Sequence, residues 1–211
     1  MRTFVSITFL AFSLFLPCVK SASETVQGHA PSPDRCPDAK VLNSSSFPVK
    51  GGNVTIAHFS CDHTSSLVSR SPGRISSARA TTLELKGRDA SECTSDECKC
   101  GETCVATCNK LTTLAPTVSN CNTIAQSIKI LATNNAIGQT FFVDPGNSVL
   151  IFFSDCEFEW DNIGKATIEY CWDDFINIES AIETSCLAIK GNTGASCVSV
   201  GNDFQLSFKF A

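Results

Sequence analysis

The chain has 211 residues, of which 43% are hydrophobic, and a formal net charge of −5 at pH 7. Residues 89–211 contain 16 Asp and Glu against 6 Lys and Arg, which gives this part a net charge of −10. A surface this negative repels the phosphate backbone of nucleic acids and the headgroups of anionic lipids. The composition therefore argues against a nucleic-acid-binding protein and against a cationic membrane-lysing protein.

The first residues have the three parts of a secretory signal peptide. Arg2 supplies the positive charge, Phe4 to Leu16 form an apolar run, and small residues follow at 21–23. The run is shorter than the roughly 20 apolar residues that cross a bilayer. We therefore expect residues 1–21 to be a signal peptide and the mature protein to be extracellular, with no membrane span.

The chain has 13 cysteines, and removal of Cys18 with the leader leaves an even number. In an oxidising compartment such a set indicates a disulfide framework. Zinc at the dense cluster of residues 93–108 is the alternative, but these cysteines do not form two clean Cys-x-x-Cys pairs. We expect no free thiol, no bound metal and no cofactor. The predicted disulfide cysteines are Cys36, Cys61, Cys93, Cys98, Cys100, Cys104, Cys108, Cys121, Cys156, Cys171, Cys186 and Cys197.

The simplest pairing joins Cys36 to Cys61 and lets at least one bridge connect the 93–108 cluster to the domain that follows. Cys61 also lies in the phrase His58-Phe-Ser-Cys-Asp-His63, which resembles a metal-ligand set. With Cys61 in a bridge, a strand end followed by a turn is the preferred interpretation of this phrase.

The N-terminal half divides by composition into three segments. Residues 22–61 are a predicted β unit, with two strands around a turn at Gly51-Gly52-Asn53. Residues 62–88 have the composition of a Ser/Arg-rich linker, with one further strand at Thr81–Lys86, and residues 89–117 form a Cys-rich connector. Asn43 and Asn53 begin N-glycosylation acceptor sequences, which agrees with secretion.

Residues 118–211 have the pattern of an α/β domain. We expect a helix capped by Ser119 or Asn120, a short strand at 141–143, a long strand from Val149 to Trp160, and a strand at 166–170. A second helix opens at Asp173 or Asp174. The predicted inner faces of the two helices are Cys121, Ile124, Ile128 and Leu131, and Phe175, Ile178, Ile182 and Cys186.

The last segment alternates strictly, with Phe204, Leu206, Phe208 and Phe210 separated by polar residues, which predicts a half-buried strand. Short connections between the elements favour antiparallel pairing with the helices on one face of the sheet. The predicted fold class is α+β: a small disulfide-rich α/β sandwich with an antiparallel sheet and two helices, preceded by a small β unit and a Cys-rich connector.

The cysteine positions of the last domain follow a known outline. Cys121 lies three residues before Ile124 in the first helix, Cys156-Glu-Phe158 lies in the long strand, and Cys197 precedes the last strand. From about Cys121 to Phe208 the chain resembles the necrosis-inducing effectors, a secreted fungal family distantly related to killer toxins. The phrases at 169–175 and 100–104 resemble cysteine-rich secreted proteins of filamentous fungi. The resemblance implies an α/β sandwich, extracellular action and no catalytic site.

The acidic domain has no histidine, because the three histidines are His29, His58 and His63. A Ser-His-Asp or Cys-His mechanism within that domain is thereby excluded. The candidate catalytic carboxylates are Glu157 and Glu159, with Asp173 and Asp174 near them in the sequence. Residues two apart on a strand lie roughly 7 Å apart, within the range of glycosidase carboxylates. A solvated acidic strand face is preferred, with catalysis and calcium binding as alternatives.

The sequence thus predicts a secreted, non-enzymatic, monomeric protein that acts at a cell surface or on a host. The expected partner is a cell-wall glycan or a host surface component. One alternative is a carboxylate-dependent glycoside hydrolase or a carbohydrate-binding module, which requires Tyr170 or Trp172 to be exposed beside the acidic face, while Trp160 is expected in the core. A structural cell-wall protein is the other alternative.

Overall fold

This computed structural model describes residues 38–61, 80–83, 92–109, 114–187 and 192–210, with residues 80–83 as backbone. The predicted signal peptide, Cys36 and most of the predicted linker lie outside the described residues. The strands are β1 Lys40–Val49, β2 Gly52–Ser60, β3 Ala80–Leu83, β4 Cys104–Asn109, β5 Thr140–Val143, β6 Ser148–Phe153, β7 Cys156–Asn162, β8 Ile168–Cys171, β9 Gly194–Ser199 and β10 Phe204–Phe210. The helices are α1 Val118–Thr133 and α2 Trp172–Ile182, which continues into a π-helical turn at Glu183–Leu187.

Eight strands form one antiparallel sheet in the order β1-β2-β6-β7-β10-β9-β4-β3, and β5 pairs with β8 separately. The predicted α+β architecture, with an antiparallel sheet and two helices, is confirmed. The large sheet crosses the predicted segment boundaries, because β1 and β2 come from the N-terminal β unit and β4 from the connector. The strand predicted at Thr81–Lys86 is observed at Ala80–Leu83, where it pairs with β4, so this part of the predicted linker is an edge strand and not a free connection.

The prediction of one long strand from Val149 to Trp160 is wrong, because β6 and β7 form a hairpin. Phe153 pairs with Cys156, which leaves Ser154 and Asp155 as a two-residue loop. Ser154 has a φ of 55°, the left-handed conformation that tight hairpin turns require. The loop also anchors α1, since Asp155 accepts hydrogen bonds from Thr117 Oγ1 at 2.5 Å and Asn120 Nδ2 at 2.7 Å.

The main core lies between one face of the large sheet and the two helices. Phe158 of β7 lies 5.4 Å from Phe175 of α2 and 4.4 Å from Phe208 of β10, measured between ring centroids. Each fully buried side chain of this size contributes about 1.5–3 kcal/mol to folding. The predicted inner faces are confirmed except that Leu131 is half-buried. The buried positions are Cys121, Ile124 and Ile128 in α1, Phe175, Ile178 and Ile182 in α2, and Cys186 in the π-helical turn.

Both helices begin slightly earlier than the capping residues predict. α1 has Thr117 as its N-cap, in place of Ser119 or Asn120, because the side chain of Asp155 holds the chain at that point. α2 has Cys171 as its N-cap, and Asp173 and Asp174 lie in its first turn. Carboxylates in the first turn interact favourably with the helix dipole.

Ten of the predicted disulfide cysteines pair within the described residues. The bridges are Cys93–Cys98, Cys100–Cys171, Cys104–Cys197, Cys108–Cys186 and Cys121–Cys156. Three of them join the connector to the domain that follows, which confirms the predicted link between the two. Cys61 is also disulfide-bonded, whereas its predicted partner Cys36 lies outside the described residues. Such a framework is typical of proteins that fold in an oxidising compartment.

Candidate functional site

The acidic face of β7 is buried, which corrects the prediction of a solvated face. Glu157 and Glu159 are 3% and 1% exposed. Lys209, on the paired strand β10, places its Nζ 2.8 Å from Glu157 Oε1 and 3.4 Å from Glu159 Oε2. Burial alone would lower the pKa of Lys209, but the two glutamates outweigh this effect and raise it. Lys209 is therefore a charged partner shared by both carboxylates.

The surroundings of these glutamates explain why the sequence did not predict their burial. Asp161, two residues further along β7, accepts a 2.6 Å hydrogen bond from Ser148 Oγ. On the same face of the sheet, Leu150 and Phe59 form a second apolar cluster. Alternation along a strand shows which residues share a face, but it does not show whether that face is covered.

The four candidate carboxylates are not brought together. Phe158 packs against α2, so Glu157 and Glu159, its neighbours on β7, point to the opposite face of the sheet. Asp174 lies on α2, where it accepts a hydrogen bond from the backbone N–H of Gly101. The sheet thus separates the two glutamates from the two aspartates, and Asp174 serves to hold the connector.

The aromatic residues considered for sugar stacking are in the core. Trp160 is fully buried, as predicted, and Tyr170 and Trp172 are 0% and 2% exposed. The ring of Trp160 lies 5.4 Å from that of Tyr170 and 5.4 Å from that of Phe204. A sugar platform beside the acidic strand needs an exposed ring, so this part of the glycoside hydrolase alternative is wrong.

Two groups of potential metal ligands occur in the described chain, and both involve cysteines. Sulfur atoms of Cys93, Cys98 and Cys100 lie within 4.8 Å of one another, and so do ligand atoms of Cys100, Cys171 and Asp174. All of these sulfurs are in disulfides and are not thiolates, so they lack the charge that zinc requires.

Glu169 is a buried carboxylate that sequence reasoning did not single out. It accepts hydrogen bonds from the backbone N–H groups of Thr94 and Ser95, at 3.0 Å and 2.7 Å, and from both hydroxyls. Burial alone would raise the pKa of Glu169, but these hydrogen bonds outweigh it and lower the pKa to about 2. Glu169 therefore fixes the start of the connector onto β8.

Glu179, on α2, has its pKa shifted in the opposite direction. It is 1% exposed, and its Oε1 has no hydrogen-bond partner among the described residues. Burial and the nearby charge of Glu183 raise the pKa of Glu179 to about 8, so this carboxyl group is largely protonated at pH 7.

A cleft of about 420 Å³ lies between the β1–β2 hairpin and β5. Its polar lining comes from Asn43 and Ser45 of β1, His58 of β2 and Thr140 of β5. Burial lowers the pKa of His58, which favours the neutral imidazole. None of the described residues that line the cleft is an Asp, Glu, Lys, Arg or Cys. The described lining of the cleft is therefore uncharged, although the protein has a net charge of −5.

The apolar lining of the cleft is aromatic. Phe47 of β1, Phe142 of β5 and the start of α2 at Trp172 contribute to its walls. Phe142 is 50% exposed, so its ring is accessible to a ligand in the cleft. The volume is within the range of sites that bind small molecules, about 300–1,000 Å³. This combination of exposed aromatic surface and uncharged hydrogen-bonding groups makes the cleft the best candidate binding site.

The chain matches no protein-family model, no curated protein and no solved structure. The resemblance to necrosis-inducing effectors therefore stays a prediction. Within the described ranges, no helix is long and apolar enough to cross a membrane.

The two predicted glycosylation acceptors lie in the same hairpin but in different surroundings. Asn43 is exposed on β1 and lines the cleft, whereas Asn53 is exposed at the hairpin turn. Sequence reasoning missed the cleft itself because its walls come from segments almost 100 residues apart. The predicted strand began only at Phe47, so the period-2 spacing of Asn43, Ser45 and Phe47, the available signal that they share a face, was not used.

Proposed function

We propose that this chain is a secreted, disulfide-stabilised binding protein without catalytic activity of its own, which acts at a cell surface or on a host. Its binding site is the cleft between the β1–β2 hairpin and β5, and its ligand is a neutral saccharide. The lining of the cleft is the observation that carries this proposal, since it combines aromatic rings with uncharged hydrogen-bonding groups.

The chemistry of the lining supports this ligand class. A sugar ring presents C–H faces that pack on aromatic side chains such as Phe142, and hydroxyls that hydrogen-bond to groups such as Asn43 and His58. A charged ligand finds no counter-charge among the described lining residues. An anionic ligand is further disfavoured by the net charge of −5.

The placement of the carboxylates supports binding over hydrolysis. Glycosidases need two carboxylates that flank a bond of the bound sugar. Glu157 and Glu159 share Lys209 on a buried face, and neither lines the cleft. Turnover of any glycan that disappears in the Glu157→Gln or Glu159→Gln variant would support the glycoside hydrolase alternative instead.

A binding screen tests the proposal. The chain from residue 22 onward is produced in a bacterial periplasm, where disulfides form without N-glycosylation, and is titrated with neutral oligomers of glucose, mannose and N-acetylglucosamine. We expect binding of at least one series, and Phe142→Ala to weaken it about ten-fold, which corresponds to about 1.4 kcal/mol.

Ile130→Ala is the matched control, because Ile130 is a similarly exposed apolar residue on α1, 59% exposed, and does not line the cleft. It is expected to leave affinity unchanged. Equal loss of affinity in the two variants would contradict the cleft as the binding site, and absence of binding to every series would contradict the ligand class.

A further inference from the structure

The cleft contains the acceptor of a covalent modification. Asn43, Ser45 and Phe47 alternate along β1, and all three residues line the cleft. Asn43 pairs across the hairpin with His58, another lining residue. Asn43 begins the acceptor sequence Asn-Ser-Ser, so a sugar attached to its Nδ2 starts at the wall of the proposed saccharide site.

We propose that Asn43 carries an N-linked glycan whose first sugar rings occupy the cleft, so that the glycan is a resident ligand of the site and competes with external saccharides. This inference rests on the proposed function of the cleft as a site for neutral sugars. It adds that access to the site depends on whether Asn43 is glycosylated.

The modification is the ordinary transfer of an oligosaccharide during secretion. The donor is a lipid-linked oligosaccharyl diphosphate, and a bond forms between Asn43 Nδ2 and C1 of the first sugar. The bond between C1 and the diphosphate breaks, Nδ2 loses one proton, and the lipid diphosphate leaves with the bonding electron pair. No oxidant or reductant is involved.

Tethering explains why the attached glycan occupies the site in preference to a free sugar. A ligand on a short flexible link has an effective concentration in the range of about 1 mM and above. Free sugars that bind with about 1 mM affinity gain only about 4 kcal/mol. The Asn43 glycan therefore competes successfully with any external saccharide of this affinity that is present at lower concentration.

Asn53 provides an internal comparison. It starts the sequence Asn-Val-Thr and pairs with Pro48 at the turn end of the same hairpin. Its side chain is exposed and does not line the cleft. A glycan on Asn53 projects into solvent, so the two glycans differ in their surroundings while they share one hairpin.

The first test compares the glycans of the full chain secreted from a eukaryotic host. Endoglycosidase is added to the native protein, and site-specific release is followed by mass spectrometry. We expect release at Asn53 to be at least about two-fold faster than at Asn43, since a glycan tethered at about 1 mM fills a 1 mM site half of the time, and equal rates after reduction and denaturation. Equal rates in the native protein, or an unoccupied Asn43, would overturn the inference.

The second test measures saccharide affinity with an N-acetylglucosamine oligomer as the probe. Asn43→Gln and Ser45→Ala each remove the acceptor sequence and leave the other of the two residues in place. Both variants are expected to bind the probe at least about two-fold more tightly than the glycosylated wild type, because a tethered competitor at about 1 mM halves the apparent affinity of a 1 mM ligand. Asn53→Gln is expected to match the wild type.

The outcomes separate the two proposals. If both acceptor variants bind the probe with wild-type affinity, the glycan does not occupy the cleft, and the inference fails while the proposed function stands. The opposite case is that neither variant binds any neutral oligomer, while the native Asn43 glycan resists release. The glycan then occupies the cleft, but the cleft does not bind external saccharides, so the proposed function fails and the inference stands.

Discussion

Lys209 and Glu157 occupy directly paired positions on β10 and β7, and Lys209 Nζ lies 2.8 Å from Glu157 Oε1 within a buried face of the sheet. The same ammonium group lies 3.4 Å from Glu159 Oε2. A strand pattern that looks like a solvated acidic surface is therefore a buried ionic cluster. Removal of one partner from such a cluster costs more than the net stability that the pair provides.

Lys209→Met is expected to lower the free energy of unfolding by about 3 kcal/mol, because it leaves two buried carboxylates without the cation that faces them. Urea unfolding at pH 7 measures the change. Lys165→Met is the control at an exposed lysine, with an expected change below about 0.5 kcal/mol. Wild-type stability in Lys209→Met would contradict a structural role for the cluster.

Glu169 is expected to make the fold sensitive to acid. The pKa of Glu169 in the folded state, about 2, is below the ordinary value of 4.5. The contribution of Glu169 to the free energy of unfolding is therefore complete above about pH 4.5 and is lost as the pH falls towards 2. Glu169→Gln is expected to cost on the order of 2 kcal/mol at pH 7 through weaker hydrogen bonds to Thr94 and Ser95. The difference between variant and wild type in urea unfolding should shrink at pH 3, and a constant difference would be inconsistent with this role.

Glu179 is expected to have the opposite pH dependence. Its folded pKa of about 8 is above the ordinary value of 4.5, so the folded state holds the proton more strongly than the unfolded state does. Stability should fall between about pH 5 and pH 8, on the order of 3 kcal/mol, and Glu179→Gln should remove this slope. Thermal unfolding across this pH range measures the slope. Glu97→Gln, at an exposed glutamate, is the control and is expected to keep the slope.

The disulfides are expected to differ in their contribution to stability. Cys104 and Cys197 are fully buried, whereas Cys93 and Cys98 are half-buried and only 5 residues apart. With the other bridges intact, the Cys104–Cys197 bridge closes a loop of about 15 residues, which corresponds to a stabilisation of about 3 kcal/mol. Its removal also leaves a cavity in the core, which lowers the stability further. The double Ala variant at Cys93 and Cys98 should cost about 2 kcal/mol or less. Guanidinium unfolding of both double variants should show this order, and the reverse order would contradict it.

The parts of the fold that the sequence predicted are those with local periodicity. Phe204, Leu206 and Phe208 alternate on a strand, and Ile124 and Ile128 share a helix face, so their burial follows from spacing alone. The hairpin at Ser154-Asp155 was missed because its loop lacks the Gly or Asn-Gly signal and uses a serine at positive φ instead.

The parts that the sequence did not predict depend on contacts between distant segments. The burial of Glu159 depends on what covers the outer face of the sheet. The low pKa of Glu169 depends on hydrogen bonds from a connector about 75 residues earlier. The cleft forms where Phe47 and Phe142 approach from different strands, and neither residue alone indicates a site. Cysteine counting predicted the link between the connector and the domain. Each of the two segments has an odd number of cysteines, so neither can pair all of its own, and at least one bridge must join them.

The most direct test of the cleft as a saccharide site is an NMR titration. The unglycosylated protein, labelled with ¹⁵N, is mixed with increasing amounts of a neutral disaccharide, and amide shifts are mapped onto the structure. The account predicts that saturable shifts cluster at Ser45, His58, Thr140 and Phe142 around the cleft. Shifts that cluster instead around Glu157 and Lys209, or no saturable shifts with any neutral disaccharide, would contradict it.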